Sequence, residues 1–128
     1  MAGRPVMAQE YETLFRANLY NKEIGVYLTI NLHEKNISVP DHELYGMLPG
    51  YLGKDGSSFY WMIVDAEIHD GYANLQLIND YGSEDLEAKL TLLNDSTYKL
   101  VQEKGSALKV INKGKWLKLP KALVFVKR

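Results

Sequence analysis

Asp70-Gly71, with an apolar run on each side, constrains the fold more than any other part of this sequence. Residues 59–82 read FYWMIVDAEIHDGYANLQLINDYG. Asp and Gly accept the positive φ angles of a two-residue type I′ turn, so the runs are predicted to pair as a β-hairpin. One face pairs Ile68 with Ala73, Ala66 with Leu75 and Val64 with Leu77. The other face pairs Glu67 with Asn74 and Asp65 with Gln76. A slip of one residue would set polar groups against apolar ones, so the pattern fixes the register.

The end of this hairpin away from its turn is apolar on both faces. Ile63 is expected opposite Ile78, Trp61 follows, and Phe59 and Tyr81 continue the pattern. The expected inward-facing set of the hairpin is Met62, Val64, Ile68, Leu75 and Leu77. We therefore expect this end either to be capped by the Leu44–Leu52 segment or to form the wall of a binding site.

Further segments alternate apolar and polar side chains, as strands with one buried face do. Residues 24–32 and 86–92 are the clearest of them. After the second, a three-residue loop at 94–96 would set Leu90 opposite Leu100. A two-residue loop would set Leu90 opposite Lys99, so the longer loop is predicted. By contrast, Gly46, Pro49 and Gly50 make residues 44–52 a poor central strand, and a bent or edge segment, or a loop with apolar anchors, is expected there.

Two segments near the ends of the chain bear on how the strands close. Residues 11–20 fit a strand or a helix, and the many strands that follow favour a strand. Residues 122–126 are apolar on both faces, as expected of a closing strand that is buried on two sides.

The fold class follows from the number and spacing of these segments. About eight to ten short strands, with turns every 8–12 residues or so, predict an all-β antiparallel barrel or a two-sheet sandwich. Gly114-Lys115-Trp116 has the G-x-W form that lipocalins carry in their first strand, but here it lies near the end of the chain. A barrel would thus resemble lipocalins in architecture only. We expect residues 10–128 to form one β domain after a disordered or processed segment at residues 1–9.

Composition limits the compartment and the chemistry. The absence of Cys excludes a disulfide framework and thiolate ligands or nucleophiles. No apolar run approaches the roughly 18 residues of a membrane-spanning helix, so no membrane span is predicted. Val6-Met7-Ala8 before Gln9 has the small-residue form of a cleavage site, which favours an exported, extracytoplasmic bacterial protein over a cytoplasmic one. An ordinary N-terminus accounts for the same residues.

The net charge of −1 conceals a strong asymmetry along the chain. Residues 1–103 carry seven basic and all sixteen acidic residues, a balance of −9. Residues 104–128 carry eight basic residues and no acid, a balance of +8. Such a segment can bind an anionic partner, or its charges can pair with the acidic part of the sheet.

Catalytic and metal-binding patterns are missing. His33, His42 and His69, the only histidines, lack the spacing of metal ligands, and no G-x-S-x-G elbow or glycine-rich phosphate loop occurs. Asp65 and Glu67 are neighbouring carboxylates on one strand face, as acid–base catalysis can use, but a solvated face explains them equally. The loop at 80–85 offers oxygen ligands without the calcium-loop spacing. We expect no catalytic residue, no metal and no cofactor.

Aromatic and basic side chains supply the candidate binding residues. Aromatic groups at a barrel mouth bind apolar or planar ligands, and beside lysines they stack bases or sugars. The predicted ligand-binding set is Tyr45, Tyr51, Phe59, Trp61, Tyr81 and Trp116. The alternative, polyanion-binding set is Lys109, Lys113, Lys115, Lys118 and Lys121. Core packing explains the aromatic set as well as binding does.

These observations favour a non-enzymatic binding module for an apolar or amphipathic small ligand or a protein partner. The first alternative is binding of a polyanion, nucleic acid or acidic glycan, through residues 104–128. The pI near 6.3 disfavours nucleic acid. A second alternative is a structural or assembly role through an exposed strand edge. We expect a monomer or a weak dimer.

Overall fold

A closed antiparallel β-barrel forms the body of the protein in a computed structural model that describes residues 14–128. These residues form β1 (Arg16–Asn21), β2 (Val26–Asn31), β3 (Ile37–Ser38), β4 (Met47–Leu48), β5 (Gly50–Lys54), β6 (Trp61–His69), β7 (Tyr72–Asn79), β8 (Asp85–Asn94), β9 (Thr97–Gly105), β10 (Lys109–Asn112), β11 (Lys115–Lys118) and β12 (Ala122–Lys127). The barrel runs β1-β2-β5-β6-β7-β8-β9-β12, and β12 pairs with β1 to close it. The all-β prediction is confirmed, and of its two architectures the barrel is the one present.

Two insertions interrupt this up-and-down order. Strands β3 and β4 pair with each other between β2 and β5, with a 3-10 helix at Glu43–Tyr45 between them. Strands β10 and β11 pair between β9 and β12. We call residues 109–118 the lid hairpin, because they lie across one end of the barrel. That end, the lid end, also carries the loops at 22–25, 55–60 and 80–84, and the opposite end carries the Asp70-Gly71 turn.

The central hairpin is β6 and β7, and most of its predicted register is confirmed. Ile68 pairs with Ala73, Ala66 with Leu75, Glu67 with Asn74 and Asp65 with Gln76. Nearer the lid end a β-bulge at Val64 shifts the register, so the expected pairs there were wrong. Ile63 lies opposite Leu77, and Met62 lies opposite Ile78. The bulge places one extra residue in β6 and turns Ile63 into the barrel in place of Val64.

The barrel interior is filled with side chains. Trp61, Ile63 and Leu77 from the central hairpin are fully buried with Leu19, Leu28, Leu52, Tyr98 and Phe125 from the other strands. Leu108, Val110 and Leu119, from the lid hairpin and its flanks, join the same cluster. The lid hairpin therefore closes its end of the barrel by contributing to the core.

The β3–β4 insertion packs on the outside of the barrel wall. Val39 and Leu48 form a second buried cluster with Met62, and Val64 and Ile78 pack against it. Met62 and Val64 were expected to face inward. They contribute instead to this outer cluster, because the bulge turns their side chains to the other face of β6. The predicted cap over this end thus exists, although Leu44 itself is fully exposed.

Three other segments can be compared with their predictions. Between β8 and β9 the predicted register is confirmed, with Leu90 opposite Leu100, but the predicted three-residue loop was wrong: Asn94 pairs with Thr97 across a two-residue turn, and a β-bulge at Leu93 supplies the shift in register. A strand is confirmed from Arg16, whereas residues 1–13, including the expected N-terminal segment 1–9, lie outside the described part of the chain. The expectation of a bent or edge segment at 44–52 was wrong for its second half, because Gly50–Lys54 is a barrel strand between β2 and β6.

Strand β12 closes the barrel but is buried on one face only. Leu123 and Phe125 point inward, while Val124 and Val126 are 45% and 48% exposed on the outer wall. The expected burial of β12 on two sides was wrong. No element formed by residues 14–128 covers the outer face of this strand. Beside these valines lies a groove of about 450 Å³, lined in part by Tyr20.

Candidate functional site

Three aromatic rings meet at the lid end of the barrel. Phe59 contacts Tyr81 with ring centroids 5.3 Å apart and Trp116 with centroids 5.2 Å apart, both edge to face. Tyr81 and Trp116 lie 6.4 Å apart at 88°. Phe59 is buried, but Tyr81 and Trp116 are 65% and 51% exposed. We call these three residues the aromatic platform.

The loop that carries Tyr81 is held by the side chain of Asn79, the last residue of β7. The Asn79 Oδ1 atom accepts hydrogen bonds from the backbone N–H groups of Ser83, at 2.9 Å, and Glu84, at 3.2 Å. The Asn79 amide donates to Ser83 Oγ at 3.2 Å. Asn79 is itself 3% exposed, so its polar atoms need these partners. The result is a fixed turn that presents Tyr81 to solvent.

Phe59 and Trp61 join the platform to the core. Ser57 Oγ accepts a hydrogen bond from the Phe59 N–H at 3.2 Å, which fixes the loop before β6. The Trp61 indole N–H donates to the Lys109 carbonyl oxygen at 2.7 Å. A fully buried side chain of the barrel thus anchors the first strand of the lid hairpin, and through it the position of Trp116.

Gln102 on β9 holds the two ends of the chain segment that contains the lid hairpin. Its Oε1 atom accepts from the Leu108 N–H at 2.8 Å, and its Nε2 atom donates to the Pro120 carbonyl oxygen at 3.0 Å. The Gln102 N–H also donates to the Lys121 carbonyl oxygen at 2.9 Å. One residue therefore fixes where the hairpin leaves and rejoins the barrel.

Two charged contacts surround the platform. Lys109 Nζ lies 5.1 Å from the centre of the Trp116 ring and 3.7 Å from Glu84 Oε2. His42 is hydrogen bonded through Nε2 to Asp80 Oδ1, which ties the outer β3–β4 insertion to the loop carrying Tyr81. Both acidic side chains nearest the platform in sequence therefore have a basic partner.

A groove of about 290 Å³ lies beside the platform. Phe59 and Tyr81 form its aromatic side, Ile111 adds an apolar contact, and Lys113 borders it from the tip of the lid hairpin. Ser57, Ser58, Gly56 and Gly114 contribute the remaining small residues. Asp80 also lines the groove, which can therefore offer ring stacking, backbone hydrogen-bonding groups, a carboxylate and a cation to one ligand.

The structure places the six predicted aromatic residues at four locations. Phe59, Tyr81 and Trp116 form the platform. Trp61 is buried beneath the lid hairpin and supports it. Tyr51 packs against Tyr27 and Tyr60 on the outer wall, at 6.2 and 5.3 Å between ring centroids. Tyr45 lies on the 3-10 helix beside His42, at 5.9 Å.

All five lysines of the alternative set lie on or directly after the lid hairpin. Lys109 and Lys118 are directly opposite each other on β10 and β11, Lys115 lies opposite Asn112, and Lys113 is in the turn. Lys121 follows at the start of β12. Within residues 14–128, Lys109 alone among these five forms an ion pair with a carboxylate. The aromatic and basic sets were predicted as two alternative binding sites. In the structure, parts of both sets lie at the lid end.

The residues considered for catalysis or metal binding lie at separate places in the described part of the chain. His33 is hydrogen bonded to the Leu14 carbonyl oxygen, and His42 is paired with Asp80. Glu67 contacts His69 at 2.8 Å on the solvent-exposed outer wall, near Asp65. Residues 14–128 contain no group of three or more His, Asp or Glu side chains that could hold a metal ion.

Comparisons with protein families, with curated proteins and with solved structures found no match to this chain. In the described part of the chain, no helix has the length and apolar character needed to cross a membrane.

Proposed function

We propose that this protein is a non-enzymatic binding module that holds the planar, apolar part of a small amphipathic ligand on the aromatic platform. One observation supports this proposal above the others. Tyr81 and Trp116 are more than half exposed, yet both are held in ordered contact with the buried Phe59. A preformed aromatic surface binds with little loss of conformational entropy, because its side chains are already ordered.

The site is placed on the surface because the interior of the barrel is occupied. Trp61, Tyr98 and Phe125 are fully buried within it, together with the aliphatic side chains of the core. A ligand would have to displace these side chains to enter, whereas the groove beside Phe59 is open. The β-barrel serves in this proposal as a rigid support for the three loops that form the site.

Nuclear magnetic resonance of the two tryptophan indole groups tests the proposal. Titration with indole, a neutral planar probe, should shift the Trp116 indole N–H signal with a dissociation constant of about 1 mM. The Trp61 indole group, buried and hydrogen bonded to Lys109, should show a much smaller shift. Trp61 thus reports any general unfolding or non-specific effect of the probe.

Two variants decide whether the platform carries this binding. Tyr81→Ala removes one exposed ring and should weaken indole binding about fivefold or more. Tyr72→Ala is the matched control, since Tyr72 is a partly exposed aromatic residue beside His69 at the opposite end of the barrel. Unchanged binding in Tyr81→Ala, or no shift of the Trp116 signal in the original protein, would reject the proposal.

A further inference from the structure

We infer that the groove beside the platform selects a small planar ligand that carries a negative charge, such as an aromatic ring bearing a carboxylate or phosphate group. This inference rests on the proposed function and adds the charge of the ligand. It is based on the position of Lys113, on the pairing of the neighbouring acids and on the size of the groove.

The acidic side chains around the groove are already engaged. Asp80, which lines the groove, is hydrogen bonded to His42. Glu84, at the end of the same loop, lies 3.7 Å from Lys109 Nζ. Both carboxylates near the groove therefore already contact a basic side chain.

Lys113 supplies a positive charge that, among residues 14–128, is not paired with a carboxylate. It is exposed, it lines the groove with Phe59 and Tyr81, and no carboxylate within residues 14–128 forms an ion pair with it. Its backbone has a φ of 53°, followed by Gly114 at 79°, so the turn between β10 and β11 is a tight two-residue turn. The turn holds the backbone of Lys113 beside the rings, and its flexible side chain can reach an anion in the groove.

The remaining lysines strengthen the positive potential around this position. Lys115 and Lys118 are exposed on β11, one residue before and two residues after Trp116 in the chain. Clustered charges of one sign attract an oppositely charged ligand and raise its local concentration. The acidic groove lined by Asp65, Glu67, Glu87 and Glu103 lies on the outer β6–β9 wall and shares no lining residue with the groove beside the platform.

The size of the groove favours a small molecule over a polymer. About 290 Å³ is close to the lower limit of ordinary ligand pockets and fits a compact molecule of one or two rings. An extended nucleic acid would contact several bases and phosphates at once and would need a longer basic track. Binding of single-stranded nucleic acid is therefore treated as an alternative result of the experiment below.

A pair of probes that differ in charge tests the inference. Indole and indole-3-acetate share one ring system, and the second carries a carboxylate. We expect indole-3-acetate to shift the Trp116 signal with a dissociation constant about 5- to 10-fold lower than that of indole at low salt. The difference should largely disappear in about 1 M salt, because mobile ions screen exposed charges.

Lys113→Gln should abolish this preference, so that indole-3-acetate and indole bind the variant with similar dissociation constants. Lys99→Gln is the control, since Lys99 is exposed on β9 of the barrel wall, outside the lid hairpin, and should keep the preference. If indole binds and indole-3-acetate binds no tighter, the charge inference fails and the proposed function stands. If neither probe binds, both fail. Tighter binding of single-stranded oligothymidylate than of indole-3-acetate, with a steep salt dependence, would replace this inference with polyanion binding.

Discussion

Asn79 illustrates how one buried polar side chain can shape a binding surface. Its Oδ1 atom satisfies two backbone N–H groups, and its amide satisfies Ser83 Oγ. These bonds act together with two backbone bonds of the same loop, from the Asn79 N–H to the Glu84 carbonyl oxygen and from the Gly82 N–H to the Asn79 carbonyl oxygen. Phe59, which anchors the platform, depends in a similar way on Ser57. At the scale of the residue, the site is therefore determined by side chain-to-backbone hydrogen bonds as much as by the aromatic rings.

Replacing Asn79 with Ala should destabilise the protein and weaken the platform together. Two partly buried backbone N–H groups would lose their acceptor, at a cost of about 1 kcal/mol in the free energy of unfolding. Urea denaturation measures the stability, and indole titration measures the site. Asn74→Ala, an exposed position on the same strand, serves as the control and should change the unfolding free energy by less than about 0.5 kcal/mol. Equal effects of the two substitutions would contradict this role for Asn79.

At the scale of the element, the lid hairpin is a separate two-stranded sheet outside the barrel ladder, and it carries Trp116 of the platform. Val110 of the hairpin packs in the barrel core, together with Leu108 and Leu119 from the residues that flank the hairpin. Its attachment depends on Gln102 at one side and on the indole group of Trp61 at the other. The hairpin can therefore move as a unit if those contacts are lost, while the eight-stranded ladder remains.

Gln102→Met should loosen the lid hairpin while leaving the barrel folded. Methionine has a similar length but neither accepts from the Leu108 N–H nor donates to the Pro120 carbonyl oxygen. Amide hydrogen exchange should become faster in residues 108–121 and stay slow in β7 and β8, because local opening costs less than global unfolding. Gln76→Met, on the outer wall of β7, is the matched control. Uniformly faster exchange across the whole barrel would show that Gln102 supports global stability instead.

At the scale of the whole molecule, buried phenol groups couple stability to alkaline pH. Burial raises the pKa of Tyr98 in the barrel interior, and the N–H of Phe15, which donates to its hydroxyl oxygen, offsets part of this. Burial also raises the pKa of Tyr27 on the outer wall, and a hydrogen bond to Asp55 raises the pKa of Tyr20. The folded protein therefore keeps protons that the unfolded chain releases.

The free energy of unfolding should accordingly fall as the pH rises above about 10. Below the ordinary tyrosine pKa of about 10, both states hold their phenol protons and these groups add no pH dependence. Above it, the unfolded state binds fewer protons than the folded state, so linkage lowers the stability. Urea denaturation at a series of pH values measures this, with tyrosinate absorbance recorded on the same samples. Constant stability up to pH 12 or so would contradict the expectation.

Much of the barrel could be predicted because its strands alternate strictly. The Asp70-Gly71 turn and the polar and apolar faces of residues 65–76 fix their pairing locally, and that register is present. The wrong predictions occur where tertiary packing departs from the alternation of apolar and polar residues along a strand. The bulge at Val64 cannot be read from alternation, since three consecutive apolar residues fit either register. Glycines such as Gly50 and Gly53 are typical of a weak strand. In the structure, however, their lack of a side chain permits the close approach of Thr29 and Tyr27 from β2.

The residues around Asp70-Gly71 thus determined by themselves an antiparallel hairpin with one apolar and one polar face. They could do so because turn geometry and the alternation of side chains depend on only a few neighbouring positions. Sequence also marked Phe59, Tyr81 and Trp116 as aromatic candidates. Only the tertiary structure decided that these three residues meet at one end of a closed barrel, that Trp61 supports them from below, and that the lysines of residues 109–121 border them. Those contacts join positions up to 57 residues apart in the chain, from Phe59 to Trp116, and loop closure brings them together only when the whole barrel forms.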